Sequence, residues 1–173
     1  MHRWAWGASD GGPGRMPRER RGMARMMRFG APVQFGEGHE EWLELRNFHP
    51  PEPGGFSWSA GRWCEVSFPM DPAALGPQGH VLLELDFDAF RQPPILRTQD
   101  VLVYLNGLRL GALVLRGRQQ ASFRLRRSTL EATENVLAVD VPDAARPVDF
   151  GHTDGRLLGL KLFSMLLEPV PSA

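Results

Sequence analysis

Two carboxylates and one guanidinium stand out as groups whose types could do chemistry together: Glu52, in an aromatic, proline-rich segment, and Asp154 with Arg156 near the C-terminus. A pair of carboxylates can divide acid and base roles in glycoside hydrolysis when the spacing suits. Arg156 argues for the other reading, a structural ion-paired ring, because a guanidinium engages carboxylates through two parallel hydrogen bonds. As a functional alternative the same group is a polar floor for a sugar. Around it the sequence offers Trp42, Phe48, Phe56, Trp58 and Trp63. The C–H face of a pyranose packs on such rings while neighbouring polar groups bond its hydroxyls. The competing role for Trp58 and Trp63 is to fill the end of the fold. Phe56 is held among Pro and Gly in a loop, where binding residues concentrate. His49 and His152 complete the candidate set of Trp42, Phe48, His49, Glu52, Phe56, Trp58, His152, Asp154 and Arg156 as ligand-binding residues, with no catalytic residue assigned.

Other chemistries find little support. His39, His49, His80 and His152 are scattered, and Gly36-Glu37-Gly38-His39-Glu40-Glu41 lacks a His-x-His pair, so no metal or cofactor is expected; His39, Glu41 and His152 are the one cluster left open. Phosphate-loop, nucleophile-elbow and dinucleotide fingerprints do not occur. Ser128 reads as a helix N-cap ahead of Glu131. The sole cysteine, Cys64, rules out an internal disulfide and reads as a buried core thiol. Together with the lack of a secretory h-region and of any stretch near the roughly 20 apolar residues needed to span a bilayer, this predicts a cytoplasmic protein without a transmembrane segment.

The elements that must position these residues are strands. At 173 residues and zero net charge the chain suits one domain. Residues 1–28 carry seven Arg against one Asp and one Glu and read as a disordered basic tail; a translational start at Met23, Met26 or Met27 explains the same feature. The remaining 29–170 is net acidic, which argues against a nucleic-acid partner. Nineteen of the twenty basic residues are Arg, Lys161 being the exception, and the bias reads as one of coding in a GC-rich genome. Strand signals fall at 33–35, 42–45, 62–68, 81–87, 101–105, 108–115, 121–126, 135–141 and 157–167, with a loop from Asn47 to Ala60. In Arg62-Trp63-Cys64-Glu65-Val66-Ser67-Phe68, alternation sends Cys64, Val66 and Phe68 to one face. Asn106-Gly107 marks a type I′ hairpin turn. In the last strand Leu158, Leu160, Leu162, Ser164 and Leu166 fall on one face. The prediction is an all-β fold: a single antiparallel β-sandwich, jelly-roll-like, of about eight or nine strands.

Four segments in order carry a more specific likeness: Pro51-Glu52 running into Gly55-Phe56-Ser57-Trp58-Ser59-Ala60-Gly61, Gln99-x-Val101-x-Val103-x-x-Asn106-Gly107, Asn135-x-Leu137, and Gly151-x-x-Asp154-x-Arg156-x-Leu158-Gly159-Leu160. Over residues 29–168 the chain resembles the β-sandwich accessory domain attached to, or encoded beside, bacterial glycosyltransferases and surface-polysaccharide biosynthesis proteins. It departs from that pattern at Phe48-His49, where a Gly-Trp pair is common, and at Val148-Asp149-Phe150. The resemblance implies a non-catalytic, carbohydrate-binding-like module, with a glycan or a polysaccharide-assembly enzyme such as a glycosyltransferase as partner. Two other classes stay open. One is a protein-interaction module using an exposed strand such as Ala121 to Arg126; the other is a small sugar-modifying enzyme with a deep pocket holding Glu52, His152 and Asp154.

Overall fold

In a computed structural model, residues 26–36, 38, 42–75 and 79–170 are described. They form ten strands: β1 (Val33–Gln34), β2 (Glu44–Arg46), β3 (Ser57–Trp58), β4 (Trp63–Phe68), β5 (His80–Ala89), β6 (Gln99–Leu105), β7 (Leu108–Leu115), β8 (Gln119–Arg126), β9 (Asn135–Asp140) and β10 (Leu160–Val170). One antiparallel sheet runs β1-β10-β5-β8, with β3 also on β10, and the other runs β2-β4-β9-β6-β7. Consecutive strands from β3 to β10 mostly alternate between sheets, which is the jelly-roll order. The apolar positions of the alternating runs meet between the layers: Val81, Leu83, Leu85 and Phe87 of β5 face Val101, Val103 and Leu105 of β6 across one core. Cys64, Val66 and Phe68 all point inward, as their spacing predicts.

Three expectations need correction. Trp58 and Ser57 lie in a strand rather than in a loop, because the arms of the segment pair with each other at Phe48↔Ser59 and Glu52↔Phe56 before β3 docks on β10. The single face expected from Leu158 to Leu166 is broken by a bulge: Leu162 pairs with Phe87 and Ser164 with Asp86, leaving Phe163 as the extra residue. Beyond it Met165 and Leu167 are buried, whereas Ser164 and Leu166 are not. Ser128 caps nothing; the turn there is a 3-10 turn over Arg127–Thr129 with no side-chain cap. In addition, Met27 is buried and its N–H donates to Pro69 O at 2.9 Å. The packed chain thus includes a residue assigned from composition to the 1–28 tail; residues 1–25 lie outside the described residues.

Far from β3, the two short polar motifs lock together. Asn106 and Gly107 adopt φ 49° and 78° in the β6–β7 turn, as a type I′ turn requires. The Asn106 amide nitrogen donates to Asn135 Oδ1 at 2.9 Å and to Thr129 O at 2.8 Å, while its oxygen accepts the Val136 N–H at 2.8 Å. Asn135, fully buried, also bonds both backbone groups of Glu131, its Oδ1 accepting the N–H at 2.8 Å and its Nδ2 donating to the carbonyl at 2.9 Å. Replacing Asn135 by Ala strands those groups out of water, so the variant is expected to lose about 2–3 kcal/mol in urea unfolding; a loss within experimental error would show that these bonds do not stabilise the fold.

Candidate functional site

The strand directions gather the segments 47–62, 90–98, 116–118 and 141–159 at one end of the sandwich. The hairpin that carries the aromatic motif is held there by His49 N–H to Trp58 O and Glu52 N–H to Phe56 O, both 2.8 Å, and Ala60 N–H to Asn47 O at 2.7 Å. Ser59 Oγ stitches it to β10, accepting the Leu160 N–H at 2.8 Å and donating to Gly61 O at 3.1 Å. A Cβ on Gly159 would come within 2.7 Å of that Oγ. A glycine therefore lets the closing segment pass the hairpin, which accounts for Gly159-Leu160 beside Trp58-Ser59 in the sequence motifs.

Glu52, Asp154 and Arg156 do come together. Arg156 Nη1 lies 2.7 Å from Glu52 Oε1 and Nη2 lies 2.9 Å from Asp154 Oδ2, while the Arg156 N–H donates to Asp154 Oδ1 at 2.9 Å. The Arg156 guanidinium and backbone N–H together hold the Asp154 carboxyl below the usual carboxylate range. His49 joins this corner by donating from Nε2 to Leu157 O at 3.0 Å, since a carbonyl can only accept. One guanidinium thus engages both carboxylates, and an ionised Asp154 makes a poor general acid. This corner is a clasp between the hairpin and the final loop.

Beside it lies a second arrangement that sequence reasoning found only in part. Phe56 and Trp58 meet edge to face at 5.9 Å between centroids, Phe56 half-buried and Trp58 buried at 8% exposure. Phe163, turned out by the bulge, packs on Phe56 at 5.2 Å, and Phe90 and Phe150 continue the row from Trp58 at 6.4 Å and 5.9 Å. Cations sit on these rings. Lys161 Nζ lies 4.7 Å from the Trp58 centroid and 4.8 Å from that of Phe56, and the Arg118 guanidinium carbon lies 3.7 Å from that of Phe163. Arg118 is neutralised by a fork onto Asp86 at 3.0 and 2.7 Å. Next to the row a pocket of about 290 Å³ is lined by Trp58, Asp88, Ala89, Phe90, Arg91, Pro93 and Lys161. A smaller hollow of about 180 Å³ lies farther along the same sheet face, around Glu84, Asp86, Gln120 and Ser164.

Of the sequence candidates, then, Phe56 and Trp58 reach the aromatic row, and Trp58 alone lines this pocket. Glu52, Asp154, Arg156 and His49 form the clasp. His152 Nε2 is 3.0 Å from Gln92 Oε1, tying the final loop to the 90–98 loop that lines the pocket. Trp42 and Phe48 instead pack against the core. Phe90, Arg91 and Pro93 escaped notice because nothing in a strand ending in Phe-Arg-Gln-Pro-Pro announces that it faces Trp58. The lone lysine, Lys161, sits between two of these rings. Trp63 fills no end: it is 41% exposed on the outer face of the other sheet, 5.5 Å from Tyr104. Among the described residues no group of three or more His, Cys, Asp and Glu side chains gathers to hold a metal, and no helix is long and apolar enough to cross a membrane. His39 and Glu41 lie outside the described residues. β8 is an edge strand, but Gln120, Ser122, Arg124 and Arg126 face outward, so it lacks the apolar patch a docking strand needs. Burial pushes the Cys64 thiol up, away from nucleophilic use.

No protein-family model and no curated protein matches the chain. Solved structures do. The cycloalternan-forming enzyme of Listeria monocytogenes, in complex with a pentasaccharide substrate, aligns over 81% of this chain at 16% identity and a TM-score of 0.48. A cycloisomaltooligosaccharide glucanotransferase of Paenibacillus aligns over 80% at 12% identity and a TM-score of 0.45. The chain corresponds to only 12% and 18% of the lengths of those two enzymes. A carbohydrate-binding module of family 36, in complex with calcium and xylotriose, matches over 80% of this chain and 99% of its own, at 9% identity and a TM-score of 0.46. These likenesses are of the β-sandwich alone.

The clasp generates a pH prediction. Asp154 has a folded pKa below its unfolded one, so its contribution is complete above the ordinary carboxylate range and is lost as pH falls through the folded value. Asp154→Asn should therefore lower the melting temperature slightly near neutrality and cease to differ from wild type in strong acid. A gap that widens on acidification would contradict the assignment.

Proposed function

We propose that this chain is a non-catalytic carbohydrate-binding module whose site is the pocket at the loop end, and that it serves bacterial polysaccharide assembly beside an enzyme such as a glycosyltransferase, in the cytoplasm. The observation that carries the binding role is the make-up of that pocket. Trp58, Phe90 and Pro93 supply apolar walls against which a sugar ring can lie, and Asp88, Arg91 and Lys161 supply an acceptor and donors at its rim. Asp88 is placed by accepting the Ala89 N–H at 2.8 Å and lies 3.4 Å from Arg91 Nη2. At about 290 Å³ the space suits one ring rather than a buried chain, being at the lower end of the roughly 300–1,000 Å³ typical of ligand pockets. The polysaccharide context rests on the ordered sequence segments, which resemble accessory domains of that kind.

A catalytic reading fits less well, since the carboxylates that would serve it are both committed to Arg156. The test is titration of the full chain against a broad panel of bacterial oligosaccharides, followed by calorimetry and tryptophan fluorescence. Saturable binding is expected, weakened about tenfold or more by Phe90→Ala or Asp88→Asn and unchanged by Trp63→Ala on the opposite sheet. Absence of binding across the panel would sink the reading. So would binding that survives both pocket variants.

A further inference from the structure

We infer that the pocket selects a saccharide carrying an oxyanion, the negative group sitting between Lys161 and Arg91; this rests on the binding role proposed above. Two observations point to it independently. Lys161 Nζ makes only its two ring contacts among the described residues, with no hydrogen bond and no carboxylate within ion-pair distance, so all three of its N–H donors are open. The Arg91 guanidinium lines the same pocket, bonding Arg116 O and lying 3.4 Å from Asp88, so it adds a second cation beside Lys161.

Charge counting agrees. The pocket holds one carboxylate, Asp88, against the two cations Arg91 and Lys161, while the neighbouring Arg118 is already balanced by Asp86. One positive charge is left over, on the residue without a polar partner. The rings beneath Lys161 hold the ammonium in place without neutralising it, so a ligand carboxylate meets a preorganised cation whose charge is not spent on the protein. A uronic acid and a sugar phosphate offer the same chemistry, and the pocket's size admits either on a single ring.

The experiment titrates the full chain with three probes on one sugar scaffold: a glucuronate-terminated oligosaccharide, its methyl ester, and the glucose-terminated oligosaccharide bearing a 6-phosphate. At low salt at least one anionic probe should bind about tenfold tighter than the ester, and which one does so names the source of the charge. Lys161→Gln should collapse that gap, and Lys161→Arg should retain much of it; circular dichroism confirms that each variant is folded. Equal affinity for ester and anions would overturn the inference and leave the binding role standing. A gap untouched in folded Lys161→Gln would overturn it as well. If neither these probes nor the wider panel bind, both fall.

Discussion

Everything at the loop end depends on the antiparallel pairing of β10 with β5. That ladder runs from Leu160↔Ala89 to Val170↔His80, and β10 also receives β1 and β3 along its other edge. A strand in that position is satisfied on both sides and cannot slide, because a one-residue slip would send Leu162, Met165 and Leu167 out of the core. The one irregularity is the bulge at Phe163. It places Phe163 and Ser164 outward in succession and re-phases the strand, so the ring that supports Phe56 exists because the register is broken there and nowhere else along the pair.

The architecture was legible because alternation is a local signal: β4, β5, β6, β8 and β9 each show apolar residues at every second position, and the Asn106-Gly107 turn names its own geometry. The bulge was not legible, since Leu158 to Leu166 reads as one unbroken face and only the mismatch in length against β5 forces the extra residue. The site divided in the same way. Glu52 and Asp154 against Arg156 could be read from complementary charge at the two ends of the domain. The meeting of Phe90, Arg91 and Lys161 with Trp58 could not, because it joins three segments distant in sequence through cross-strand neighbours.

The sequence motifs themselves turn out to be mostly structural. Gln99, fully buried at the start of β6, donates to Phe90 O at 2.8 Å and to Asp143 O at 3.0 Å, pinning the 90–98 loop to the loop that follows β9. Asn106 and Asn135 close the opposite end, and Gly159 makes room for Ser59. Such ties are what an all-β domain with long connections needs, because loop backbone groups have no ladder to satisfy them. By bonding the carbonyl of Phe90, Gln99 also fixes one wall of the pocket.

The two cations resting on the outer rings are held differently. Arg118 lies over Phe163 and spends its planar fork on Asp86 in a bidentate contact, so ring, guanidinium and carboxylate form a finished, neutral unit. Lys161 approaches two rings at nearly equal distance, with Asp88 as its cross-strand neighbour on β5 but no bond to it. An ammonium is a compact point charge on a flexible stem with three donors, suited to resting between two aromatic faces. In a chain whose other Lys and Arg positions are all arginine, the single lysine rests between two rings with no carboxylate bound to it.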